Sequence, residues 1–162
     1  MTCIEWTPSR TGEIAPVAIL KPVEIDGCTV SRASLHNVSF IEGLELMPGN
    51  RVLVSKRNQI IPHVEENLDR GGFCMERAVI QSCSCCHQPT RIHVTKTTVN
   101  GVDRTVKTLF CDNPNCATRR LRQFVHFAGD KAMDIEGLSE TTLESYQDER
   151  LSENAKQTAA GI

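Results

Sequence analysis

The sequence predicts a multi-domain chain, β first and α after: a small β-barrel, a hairpin stapled by four cysteines, and a short helical end. Three observations carry this expectation. Short β-branched and apolar runs punctuated by turn signals fill the first half. Four cysteines stand as Cys83-x2-Cys86 and Cys111-x4-Cys116 around a hairpin pattern. Apolar residues at helical spacing then follow the last cysteine. The expected units are residues 1–77, 78–118 and 119–150, with a polar tail at 151–162 that frays.

The first unit opens with a short strand, Thr2 to Thr7. A longer extended stretch follows from Ile14 to Ile25, where Pro16 and Pro22 suit an edge or a bulge. Asp26-Gly27 signals a turn before Cys28 to Ser31, and Ser34 to Leu44 carries Leu35, Val38, Ile41 and Leu44 three residues apart, which predicts one helix. Pro48-Gly49-Asn50 turns the chain into Arg51 to Lys56, and Arg57-Asn58-Gln59 leads into Ile60 to Val64. Several short strands with a single helix suggest a small closed barrel of the oligonucleotide-binding (OB) kind, although this order also fits other β folds.

In the second unit, Arg91 to Val99 is rich in β-branched residues, Asn100-Gly101 is the favoured two-residue hairpin turn, and Val102 to Phe110 returns to Cys111. The two cysteine pairs therefore meet at the open end of one hairpin, which is zinc-ribbon spacing. Four thiolates close a tetrahedral cage and leave no position for water, so the expected metal is one structural zinc held by Cys83, Cys86, Cys111 and Cys116. Cys85 offers an alternative to Cys86, but a two-residue gap suits the turn better than the alternatives. His87 and His93 are further possible ligands of a site that four thiolates already saturate. Cys3, Cys28 and Cys74 read as buried or half-buried small hydrophobes.

The helical end begins with Ala117 to Phe127, where Leu121, Phe124 and Val125 line one side and Arg119, Arg120 and Arg122 project elsewhere. A second helical segment is expected from Lys131 to Ile135, broken by Glu136-Gly137-Leu138, and Ser139 can cap a third towards Gln147. This is a helix-hairpin-helix pattern, whose glycine turn presents backbone N–H groups to a phosphate.

Composition narrows the function. The chain has 18 basic and 20 acidic side chains, but residues 87–126 hold 7 basic against 2 acidic, so the ribbon and the helical segment after it form the positive part. A phosphate backbone is a natural partner for that stretch. Aromatic content is only 4%, which weighs against a dedicated single-strand binder built on stacked rings. There is no apolar run long enough to span a bilayer and no signal-peptide pattern, so a reducing cytoplasm is the expected compartment and no membrane the expected partner.

Longer motifs carry a resemblance. Ser9-Arg10-Thr11-Gly12-Glu13-Ile14-Ala15-Pro16-Val17-Ala18, Val30-Ser31-Arg32-Ala33-Ser34-Leu35-His36-Asn37, Pro48-Gly49-Asn50 and Ile60-Ile61-Pro62 follow one another. The cysteine pairs, Asn113-Pro114-Asn115-Cys116-Ala117 and Ala132-Met133-Asp134-Ile135-Glu136-Gly137-Leu138 come next, and the whole series, over residues 2 to 147, resembles the OB, zinc-finger and early helix-hairpin-helix region of bacterial NAD-dependent DNA ligases.

That resemblance implies a DNA-gripping part of a ligase acting in replication and repair. It also implies that NAD and Mg act only through an adenylation domain whose lysine sits in a Lys-x-Asp-Gly motif. No lysine here is followed by x-Asp-Gly, so this chain alone is expected not to take AMP from NAD. Its expected partners are nicked double-stranded DNA and the adenylation domain, in cis or in trans. The resemblance places the barrel on the minor groove, with Arg10 the first expected contact and Arg32, Lys56 and Arg57 following. Arg119, Arg120 and Gly137 complete the expected DNA-binding set. His63 stands where the family commonly has glutamine and receives no role, whereas His36 and Asn37 are expected to cap or brace the helix. The alternatives are a free-standing, non-catalytic zinc-containing DNA-binding module and, more remotely, a protein-interaction adaptor.

Overall fold

The computed structural model describes residues 1–57, 61–99, 102–129, 131–135, 141, 142 and 145. Its elements are β1 (Cys3–Pro8), β2 (Glu13–Ile25), β3 (Cys28–Ser34), α1 (Val38–Gly43), β4 (Val52–Arg57), β5 (Ile61–Asn67), α2 (Met75–Ala78), β6 (Thr90–Val99), β7 (Val102–Cys111) and α3 (Ala117–Ala128). The strands join in the order β4-β5-β3-β2-β7-β6, with β1 also paired to β2. All pairings are antiparallel except β3 with β5, which meet in parallel at Ser34 and His63. The first five strands and α1 make the OB barrel.

Strand β2 organises this barrel. Ile14, Pro16, Ala18 and Leu20 alternate inward, as a half-buried strand requires. Pro22 falls in the bulge between Ile19 and Val23, as its sequence context predicts. Pro16 instead sits in a central strand, opposite Trp6, and its carbonyl accepts from the Leu35 N–H at 3.0 Å. The Met1 ammonium donates to the Asn50 carbonyl at 2.6 Å and the Gly49 N–H donates to the Met1 carbonyl at 3.1 Å, tying the residue before β1 to the turn ahead of β4.

The helix is shorter than the apolar spacing predicts. Ser34 still belongs to β3, and His36 has φ of +57°, a conformation that no right-handed helix interior accommodates. Asn37 is the N-cap, its side chain accepting from the Phe40 N–H at 3.0 Å, so the helix starts at Val38. Its far end is held by Asn67, a side chain only 2% exposed, which donates to the carbonyls of Leu44 and Glu45 at 3.1 and 2.9 Å. A buried amide thereby satisfies helix-end carbonyls that would otherwise be orphaned.

The hairpin of β6 and β7 runs in continuous register from Thr90–Cys111 to Val99–Val102, as expected for a two-residue connection. Asn100 and Gly101 themselves lie outside the described residues. Strand β7 also pairs with the start of β2, Glu13 opposite Phe110 and Ile14 opposite Leu109, and one buried cluster runs from Trp6 and Ile14 to Leu109, Cys83, Cys111 and Cys116. Against α1, the Ser39 hydroxyl accepts from the Lys107 N–H at 2.7 Å, and Lys107 pairs with Glu42 at 2.7 Å.

Beyond α3 the structure departs from expectation. Residues 131–133 form a turn rather than a helix, closed by bonds from the N–H groups of Ala132 and Asp134 to the Gly129 carbonyl, and Asp134 has φ of +48°. Leu121 is buried, but Phe124 is 53% exposed and does not line the packed side. The expected break at 136–138 and cap at Ser139 lie outside the described residues. Cys3 and Cys28 are exposed rather than buried, Cys3 on an outward position of β1 and Cys28 just beyond the Asp26-Gly27 turn.

Candidate metal centre and the Arg10 loop

Cys83 and Cys86 sit in a tight knuckle whose geometry follows from two backbone bonds. The Cys83 N–H donates to the Gln88 carbonyl at 2.9 Å and the His87 N–H to the Cys83 carbonyl at 3.0 Å, with His87 in the left-handed region. On the other side, Cys111 ends β7 and Cys116 caps α3, with the turn between them shaped by Asn113, whose side chain accepts from the Asn115 N–H at 2.9 Å. The four sulfurs lie within 4.8 Å of one another. Cys83 to Cys116 is 4.0 Å and Cys86 to Cys111 is 3.5 Å. A tetrahedron with zinc–sulfur bonds of about 2.3 Å has edges of roughly 3.8 Å. The cage therefore has the size of a four-thiolate zinc site.

Its electrostatics ask for a cation. Burial pushes the Cys111 thiol up to about 11, helped by the neighbouring sulfurs of Cys86 and Cys83, and burial also drives Cys116 upward. Burial is the largest influence on Cys86 and raises it, but hydrogen bonds with Asn113, the Gln88 backbone, Cys111 and Cys83 together outweigh burial and bring it down to about 7. Four thiolates in such a space are mutually repulsive unless a metal neutralises them, so the donor set fits zinc and its binding releases protons. Cys85 is half-buried beside the cage; burial raises its pKa, but bonds with the side chain and backbone of Thr118 outweigh this and lower it. Sequence spacing left it as an alternative to Cys86, and the structure places Cys83, Cys86, Cys111 and Cys116 together as the set. His87 is exposed, and His93 lies against Phe110 and 3.9 Å from Asp112.

The Arg10 loop lies directly against this cage. Ser9 and Thr11 hydroxyls meet at 2.9 Å, the Gly12 N–H donates to the Ser9 carbonyl at 3.1 Å, and the Cys111 N–H donates to the Gly12 carbonyl at 2.8 Å. Gly12 has φ of +96° and is buried. Arg10 itself is exposed, while its carbonyl accepts from the Gln123 side chain at 3.1 Å. Among the described residues, Arg10, Lys56 and Arg120 form no ion pair.

The other expected contacts are distributed unevenly. Arg32 pairs with Glu5 at 2.8 Å. With Lys56, Pro62 and residues 28–31 it lines a shallow groove on the barrel. Arg57 ends β4, Arg120 is exposed on α3, and Gly137 lies outside the described residues. Arg119 is packed beneath the Arg10 loop, its guanidinium 3.3 Å from where a β-carbon on Gly12 would stand. Sequence reasoning gave no role to His63, which joins His36 and Phe40 in a three-ring cluster with centroids 5.2 to 5.5 Å apart. No periodic signal marks that cluster, because it forms only where β3 and β5 meet.

Residues 1–71 match the model of the NAD-dependent DNA ligase OB-fold domain. The chain is similar to the DNA ligase of Ruminiclostridium cellulolyticum, 49% identical over 141 residues that cover 87% of this chain and 20% of that protein. It is likewise similar to the DNA ligase of Lachnoclostridium phytofermentans, 48% identical over the same share of each chain. The DNA ligase of Thermomicrobium roseum is 39% identical over 88% of this chain and 19% of its own length. The chain thus spans about a fifth of the length of these relatives. No helix among the described residues is long and apolar enough to cross a membrane.

Proposed function

The chain carries an NAD-dependent DNA ligase OB-fold domain and is related to bacterial DNA ligases over most of its length, and from that premise we propose that it grips nicked duplex DNA for a ligase active in replication and repair. The observation that carries this reading is the Arg10 loop. An exposed arginine without an ion-pair partner among the described residues stands on a turn fastened at Gly12 to the end of β7. An arginine so presented gains from the negative potential of a narrow minor groove and reads width rather than sequence, which suits a protein that must act at any nick. Arg32, Lys56 and Arg57 at the barrel and Arg120 on α3 extend the contact towards phosphates, and Gly137, which lies outside the described residues, belongs to the same proposed set.

The four-cysteine cage holds one structural zinc and takes no part in bond formation. Adenylation from NAD, with Mg, belongs to a partner domain that supplies the lysine, in cis or in trans, and the assembly works in the cytoplasm. The deciding experiment adds this chain to a separately prepared adenylation domain and measures nick sealing. Restoration of sealing supports the reading. Failure to stimulate sealing while the chain still binds nicked duplex favours the second reading, a free-standing DNA-binding module; the absence of any Lys-x-Asp-Gly motif fits both readings.

A further inference from the structure

We infer that Arg119 and Gln123 are positioning residues, which hold the Arg10 loop at the angle its arginine needs and do not themselves meet the phosphate backbone; this rests on the DNA-gripping reading above. Charge alone would class Arg119 with Arg120 as a phosphate contact. The structure separates them. Arg120 is exposed, whereas the Nε atom of Arg119 is buried with no hydrogen-bond partner. Its guanidinium lies against Gly12, with Nη1 at 3.3 Å and the central carbon at 3.4 Å from a β-carbon placed there. Arg119 is half-buried, and this seat turns its guanidinium towards the loop.

Gln123, one turn further along α3, donates to the Arg10 carbonyl at 3.1 Å. Residues four apart share a helix face, so the two side chains meet the loop together. The third support is the Cys111 N–H, which donates to the Gly12 carbonyl at 2.8 Å. The Arg10–Gly12 turn is therefore seated on the end of β7 and on the first turns of a helix capped by Cys116, and two of the four cage cysteines mark those supports. Glycine is required at position 12 because the seat leaves no room: an added β-carbon would stand 2.7 Å from the Cys111 carbonyl oxygen. The thiolate cage thus sets the orientation of a loop on the neighbouring barrel as well as the shape of its own ribbon.

The test is a double-mutant cycle in the zinc-loaded chain, pairing Arg10→Ala with Arg119→Met and separately with Gln123→Ala. Binding to nicked duplex is measured across a salt series, zinc content is checked for every variant, and amide exchange at Gly12 is followed without DNA. Arg119→Met is expected to weaken binding about five- to tenfold, to lower the slope of affinity against salt by no more than Arg10→Ala does, and to lose its effect on both once Arg10 is already alanine. Faster exchange at Gly12, with zinc retained, should accompany it. An effect that adds to that of Arg10→Ala, with the salt slope of the double variant falling about one further than that of Arg10→Ala alone, would show a direct phosphate contact and overturn the proposal. Wild-type binding and unchanged Gly12 exchange would also overturn it. If Arg10→Ala itself leaves binding unchanged, the DNA-gripping role of Arg10 fails instead; exchange at Gly12 then decides alone whether Arg119 and Gln123 seat the loop. Gln123→Ala guards against a packing failure at Arg119, because it removes only the bond to the Arg10 carbonyl.

Discussion

At Gly12 two constraints coincide: a φ of +96°, which side chains other than glycine rarely adopt, and the carbonyl of Cys111 at 2.7 Å from any added β-carbon. Gly12→Ala is therefore expected to lower unfolding free energy by about 1–3 kcal/mol through backbone strain alone, as measured by urea unfolding. A second residue-scale expectation concerns Asp69, which accepts from the Arg51 side chain at 2.7 and 2.9 Å and from its backbone N–H at 2.6 Å. These bonds, the side-chain one foremost, hold the Asp69 carboxyl below its ordinary value of 3.8. Because the folded value lies below the unfolded one, the stabilisation is complete above the unfolded value and disappears as pH falls through the folded one. Asp69→Asn should therefore be less stable than its parent at neutral pH, with the two converging in strong acid. Comparing parent and variant at each pH cancels the loss of the thiolate cage, and a gap that persists into strong acid would contradict the assignment.

The ribbon is the element expected to depend most on a bound metal. Purified chain is expected to carry about one zinc, and Cys111→Ser to release it. Cobalt substitution reads the same site through its thiolate charge-transfer absorption, and a fully folded, metal-free parent would rule out the cage. This element was also the most legible in sequence, because hairpin register and cysteine spacing are both local and each fixes the other. Most barrel strands were legible for the same reason. What sequence could not show were the contacts between elements. Apolar spacing ran the α1 helix back to Ser34, and only the positive φ at His36 and the cap at Asn37 shorten it. Charge grouped Arg119 with Arg120, although the packing of Gly12 against α3 leaves Arg119 half-buried with its guanidinium beside the loop and Arg120 exposed. The segment at 131–135 closes on the Gly129 carbonyl, and Asp134 takes a positive φ, so no helix continues there.

For the molecule as a whole, two expectations separate gripping from chemistry. Affinity for nicked duplex should fall as salt rises, since counterion release drives a phosphate-led grip, and salt-independent binding would count against it. Incubation with NAD should leave no covalent AMP on the chain by mass spectrometry, and an adduct on any lysine would overturn the non-catalytic assignment. The shared strand β7 has a further consequence. Because it pairs with β6 on one edge and with Glu13 and Ile14 of β2 on the other, and because Lys107 clasps Glu42 on α1, barrel and ribbon are not interchangeable cassettes. A chimera that grafts another protein's ribbon onto this barrel must bring a strand able to dock on the beginning of β2, or it will leave Ile14 bare.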